Sequence, residues 1–130
     1  MADMFDGRPR LAVRGRDVPI DQSAVTAALD HAFSPRLERD ARRILESAGD
    51  LTRLKIVRAL MATPLAASDL ARVVGRSAAA TSQHIRVLRE VRAVTAARSG
   101  NVIRYRMSRE PSAMVLEAIA RSFDLLGKRE

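Results

Sequence analysis

One short stretch of the chain carries its most suggestive chemistry. In GRSAAATSQHIRVLREVR, residues 75–92, Ala79, Ser82, Gln83 and Arg86 recur three and four residues apart and so share one side of a helix. Ser82, Gln83 and Arg86 offer donors and acceptors of the kind that meet base edges and phosphates. Ala78, Ala79 and Ala80 at the helix start are small enough to let the backbone approach another surface. A few residues later, RSGNVIRYRM sets Arg104 and Arg106 on alternate positions of an extended run, with Arg98 beside the turn. An arginine carries a planar fork that matches phosphate oxygens and guanine edges. The chemistry implied is the recognition of a polyanion.

The charge balance supports the same reading. The formal net charge is +8, and the nine arginines from Arg72 to Arg109 face a single acid, Glu90, while acids and bases balance over the rest of the chain. No lysine lies in that window. Charge gathered this way predicts a surface that meets nucleic acid, in preference to a merely solvated basic face. The 130 residues suffice for one compact core, and 47% hydrophobic against 29% charged residues is a globular composition. Cysteine is absent, which excludes disulfides, thiolate metal ligation and thiol redox sensing. No apolar run approaches a membrane span or a signal peptide, so a cytoplasmic protein is expected.

The elements that must position these residues follow from periodicity. Residues 1–21, which mix four arginines with four aspartates and contain Gly7, Pro9, Gly15 and Pro19, read as a flexible arm, and residues 22–130 as one domain. A short helix is expected between Asp21 and Phe33, and a second from Arg36 to Ala48, stopped by Gly49. Asp50 suits an N-cap for a largely buried helix carrying Leu51, Leu54, Val57, Ala59, Leu60 and Met61. Ala67 to Val74 makes two turns with Leu70, Val73 and Val74 inward and Gly75 at the end. Ser77 caps the helix that runs to about Val91, in which Thr81, Ile85 and Leu88 form the packing side. Two short helices joined across Gly75 and Ser77 make a helix-turn-helix. The runs flanking Ser99, Gly100 and Asn101 make a hairpin, with Ile103, Tyr105 and Met107 on its apolar side. Pro111 introduces a last amphipathic helix through Leu126.

These pieces together resemble the ArsR/SmtB family of bacterial winged-helix repressors. AGDLTRLKIVRAL is similar to the family's second-helix signature, SDLARVVGRSAAATSQHIRVLRE to its helix-turn-helix, and RSGNVIRYRM to its wing. Leu51 stands where the family often has proline, Arg92 where glycine commonly ends the recognition helix, and Ala93 where leucine is frequent. The resemblance implies a mainly α fold with a small β-hairpin, a winged helix-turn-helix that dimerises through its N- and C-terminal helices. It also implies a repressor that binds a pseudo-palindromic operator on double-stranded DNA as a homodimer. The DNA-contacting residues are then expected to be Arg76, Ser77, Ala79, Ser82, Gln83, His84, Arg86, Arg98, Arg104 and Arg106. The dimer interface would use Leu37, Ile44, Leu45, Val115, Ile119, Phe123 and Leu126. A winged helix devoted to protein or RNA contact is the alternative.

Members of the family commonly respond to metals or oxidants through cysteines, which this chain lacks. His31 with Glu110, Glu117 and Asp124 is the one set that could be imagined to hold a divalent ion, but the last helix has no histidine, and solvated carboxylates account for the same residues. No metal, no cofactor and no enzymatic activity are expected, since the sequence lacks a phosphate-cradling glycine loop, metal-spaced histidines and a nucleophile elbow. The inducer, if the repressor has one, is expected to be a small molecule, which the sequence does not identify.

Overall fold

The structure is a computed structural model that describes residues 18 and 20–128. Apart from Val18, Ile20 and Asp21, the expected arm over residues 1–21 lies outside the described residues. The chain divides into two compact units, residues 1–42 and 43–130.

In the first unit, the Asp21 side chain accepts from the Ala24 N–H at 3.0 Å and caps α1 (Gln22–Leu29). Ser34 Oγ accepts from the Leu37 N–H at 3.1 Å, and Pro35 occupies the first position of α2 (Pro35–Ala48), where a missing N–H costs nothing. Leu37, on this helix, is 51% exposed.

The second unit takes up the end of α2 and continues as α3 (Leu51–Ala62), β1 (Leu65–Ala66), α4 (Ala67–Val74), α5 (Ala78–Glu90), β2 (Val94–Ser99), β3 (Val102–Met107), α6 (Pro111–Ser122) and the single turn α7 (Asp124–Gly127). The caps fall where the sequence places them. Asp50 accepts from the Arg53 N–H, Ser77 accepts from the Ala80 N–H, and Gly75 closes α4 at φ +70, a left-handed conformation that glycine adopts without a Cβ clash. The Gly75 and Arg76 amides both donate to the Ala71 carbonyl, which closes the turn between α4 and α5 on the backbone side.

The core joins one side of each helix to the base of the hairpin. It contains Leu54, Ile56, Val57 and Leu60 of α3, Leu70 and Val74 of α4, Ile85 and Leu88 of α5, Ala93 and Val94 at the start of the hairpin, and Ala113, Leu116 and Ala120 of α6. Two inward assignments are corrected. Leu51 is 70% exposed because it opens its helix, and Val73 is 59% exposed because Leu70 and Val74 already fill the inward side of two turns. Ile56 takes the buried place in α3 that Leu51 does not.

The sheet has three strands, in the order β1-β3-β2, where the sequence suggested a hairpin alone. Leu65 and Ala66 pair antiparallel with Tyr105 and Arg104, covering the inner edge of β3. The expected last helix also breaks at Phe123. Arg58 donates to the Ala120 carbonyl at 2.9 Å and meets the Asp124 carboxylate at 3.0 Å, so one α3 guanidinium binds on both sides of the interruption.

Candidate nucleic-acid interface

The inner side of α5 is seated firmly. Thr81 and Leu88 have no exposed surface, Ile85 is 2% exposed, and the Thr81 hydroxyl donates to the Ser77 carbonyl at 2.8 Å. This seating turns Ala79, Ser82, Gln83 and Arg86 to the surface, as the spacing predicts. Arg89 belongs to the same exposed stripe, seven residues after Ser82, and was missed by the sequence reading although its spacing already marked it.

Three expected contact residues have work elsewhere. Ser77 spends its side-chain acceptor on the cap. Arg76 donates to the Thr52 hydroxyl at 3.1 Å, which ties the turn to α3. His84 faces the body: its side chain is 16% exposed, with Nδ1 at 3.3 Å from the Arg53 guanidinium and 3.9 Å from the Asp50 carboxylate. Arg53 in turn donates to the Ser47 and Glu46 carbonyls, satisfying the C-terminal carbonyls of α2. One arginine thus links the end of α2, the start of α3 and the middle of α5.

Asp50 is the acidic member of that cluster. Burial pushes its carboxyl up, but the Arg53 N–H that it accepts, the facing His84 and the Arg53 guanidinium together outweigh this and hold it below its ordinary value. A carboxyl held low in the folded state stabilises fully above its unfolded value near pH ~4, and that stability is lost as pH falls through the lower folded value. Asp50→Ala is therefore expected to cost about 1 kcal/mol at neutral pH, the usual loss of an N-cap. Its deficit against the parent should shrink at pH 3. Urea midpoints of both proteins at the two pH values check this, and a deficit that grows on acidification would refute the assignment.

The hairpin positions the remaining arginines by register. Gly100 at φ +62 and Asn101 form a two-residue turn with positive φ at its first residue only, the φ pattern of a type II′ turn, which matches the twist of a hairpin. Tyr105 pairs with Ala96, Arg104 with Ala97, Arg106 with Thr95 and Arg98 with Ile103. Opposite residues share a face, so Arg104 and Arg106 lie on one side of the ribbon while Arg98 shares the other with Ile103 and Tyr105. Arg92 ends α5 at φ +64, the left-handed conformation for which a glycine is the ordinary choice, at a cost on the order of 1–2 kcal/mol.

All nine arginines between Arg72 and Arg109 are exposed. The ion pairs among the described residues involve Arg42, Arg58, Arg121 and His84, none of these nine. Among the described residues, their charge is therefore not spent on carboxylates. Of the expected interface residues, Leu37, Leu45, Val115, Phe123 and Leu126 are exposed, whereas Ile44 and Ile119 pack against the core. Glu117 meets Arg121 and Asp124 meets Arg58, and among the described residues no group of three histidines or carboxylates could hold a metal ion. No described helix is long and apolar enough to cross a membrane.

Comparison with known proteins bears on the same segment. Residues 50–96, from the cap of α3 into β2, match the family described as bacterial regulatory protein, arsR family. No curated protein matches the chain. Among solved structures, the transcriptional repressor BigR from Xylella fastidiosa is 19% identical with a TM-score of 0.61, covering 85% of this chain and 97% of its own. NolR from Sinorhizobium fredii is 25% identical with a TM-score of 0.58, covering 82% and 96%. A homodimeric winged helix-turn-helix DNA-binding domain from Mycobacterium bovis is 19% identical with a TM-score of 0.60, covering 87% and 96%.

Proposed function

We propose, from the premise that this chain is an arsR-family winged-helix DNA-binding transcriptional regulator, that it is a repressor which binds a pseudo-palindromic operator as a homodimer. Ala79, Ser82, Gln83 and Arg86 on the exposed side of α5 enter the major groove, and the hairpin grips the flanking backbone. The observation that carries this reading is the exposure of nine arginines, without carboxylate partners among the described residues, on a winged helix-turn-helix. The homodimeric Mycobacterium bovis domain and the repressor BigR support the assembly and the sign of regulation. Leu45, Val115, Phe123 and Leu126 are apolar surface for a second copy to cover. Two-fold symmetry then sets the paired recognition helices about 34 Å apart, one turn of DNA. Arg76 and Ser77 fix the turn, and His84 braces α5 from behind.

Titrating labelled duplex DNA with the protein at rising salt tests the reading. The logarithm of affinity should fall linearly with the logarithm of salt, by about 0.9 for each phosphate neutralised. A preference of several orders of magnitude for one sequence over random duplex is also expected. Salt-independent binding, or tighter binding to folded RNA than to any duplex, would refute it.

A further inference from the structure

The recognition helix and the wing meet at a contact that the assignment above does not use. Arg89, in the last turn of α5, places its guanidinium carbon 5.9 Å from the centroid of the Tyr105 ring. That separation is within the range over which a cation is drawn to the negative face of an aromatic ring. Tyr105 is itself held on both sides. It is half-buried against the core, and its backbone pairs with Leu65 of β1 and Ala96 of β2. The ring therefore moves little, and Ala96 opposite it is too small to cover it.

Register adds a second arginine on that face. Arg98 is two residues beyond Ala96 on β2, diagonal to Tyr105, a separation of about 7–8 Å that a long side chain spans. Arg104 and Arg106 are turned to the opposite side of the ribbon. Of the hairpin's arginines, Arg98 is the one that shares a side with Arg89. A guanidinium attracted to a ring face commits none of its N–H donors to that contact and has already given up much of its rotamer freedom. It stays ready for an anion.

Resting on the DNA-binding reading, we infer that Tyr105 is a positioning residue. Its ring holds the Arg89 guanidinium at the junction of helix and wing, where Arg89 and Arg98 take backbone phosphate. Sequence preference stays with Gln83 and Arg86, whereas Tyr105 and Arg89 raise affinity for every duplex.

The test is a salt series with random-sequence duplex on the full-length chain and its Arg89→Ala, Tyr105→Phe, Tyr105→Leu and combined Arg89→Ala, Tyr105→Leu variants. Arg89→Ala should lower the slope of log affinity against log salt by about 0.9, one phosphate. Tyr105→Leu should lose the same share, Tyr105→Phe should keep the parental slope because it keeps the ring face, and the combined variant should lose no more than either alone. Tyr105 is the single tyrosine and tryptophan is absent, so intrinsic emission reports this ring alone. Adding duplex should change that emission in the parent and not in Arg89→Ala. This readout stands even if Tyr105→Leu fails to fold. An Arg89→Ala slope equal to a steep parental slope, or a loss in Tyr105→Phe equal to that in Tyr105→Leu, overturns the inference alone. A flat parental slope would instead sink the DNA-binding reading and this inference with it.

Discussion

Replacing Leu88 by alanine is expected to destabilise the protein by about 2–5 kcal/mol, the range for removing a fully buried leucine and leaving part of its cavity. Leu88 has no exposed surface and holds the last turns of α5 against the core. Domains of this size are stable by about 5–15 kcal/mol, so this loss is a large part of the total. A urea titration should show a midpoint moved far down with an unchanged slope. The exposed side of α5 is untouched, so the fraction still folded should bind duplex DNA as the parent does. An almost unchanged midpoint would mean that α5 is not seated as described.

Removing Arg86 or Gln83 should act in the opposite manner, sparing the fold and changing recognition. Both side chains are exposed on α5, with nothing of the core behind them to collapse. Losing a base contact costs about 1–3 kcal/mol of discrimination, roughly a 5- to 150-fold fall in the ratio of specific to random affinity. Arg104→Ala should instead weaken all duplexes alike, since a phosphate contact carries no sequence information. Dissociation constants for a preferred and a scrambled duplex separate the two. If Arg104→Ala changed the preferred sequence while Gln83→Ala left it intact, the helix and wing would have exchanged roles.

What was legible in the sequence was local. Helix starts and stops are written by single residues that satisfy orphan backbone groups or tolerate a left-handed turn, which is why Asp50, Ser77, Gly75 and Pro111 placed their helices closely. The inward side of α5 was equally clear, because Thr81, Ile85 and Leu88 are its only well-spaced packing residues among polar ones. In α3, apolar residues run almost all round, so spacing could not show that Ile56 is buried and Leu51 is not. Strand β1 has two residues and hence no period, and it forms because β3 offers it an edge.

The remaining differences come from partners distant in sequence. His84 looked like a member of the contact surface until Arg53 and Asp50, from another helix, drew it inward. The break at Phe123 has no glycine or proline to announce it and depends on Arg58, far earlier in the chain. The division of the hairpin arginines between two faces required the pairing register, which spacing within one strand does not supply.

The central claim is that the exposed side of α5 reads duplex DNA while arginines of the wing hold its backbone. Selection of bound sequences from a random duplex pool tests it most directly. The expected result is enrichment of an inverted repeat whose half-sites lie about 10 base pairs apart, one helical turn, as two recognition helices related by a two-fold axis require. A pool that stays unenriched after selection, or one that converges on a lone half-site with no repeat, would contradict it.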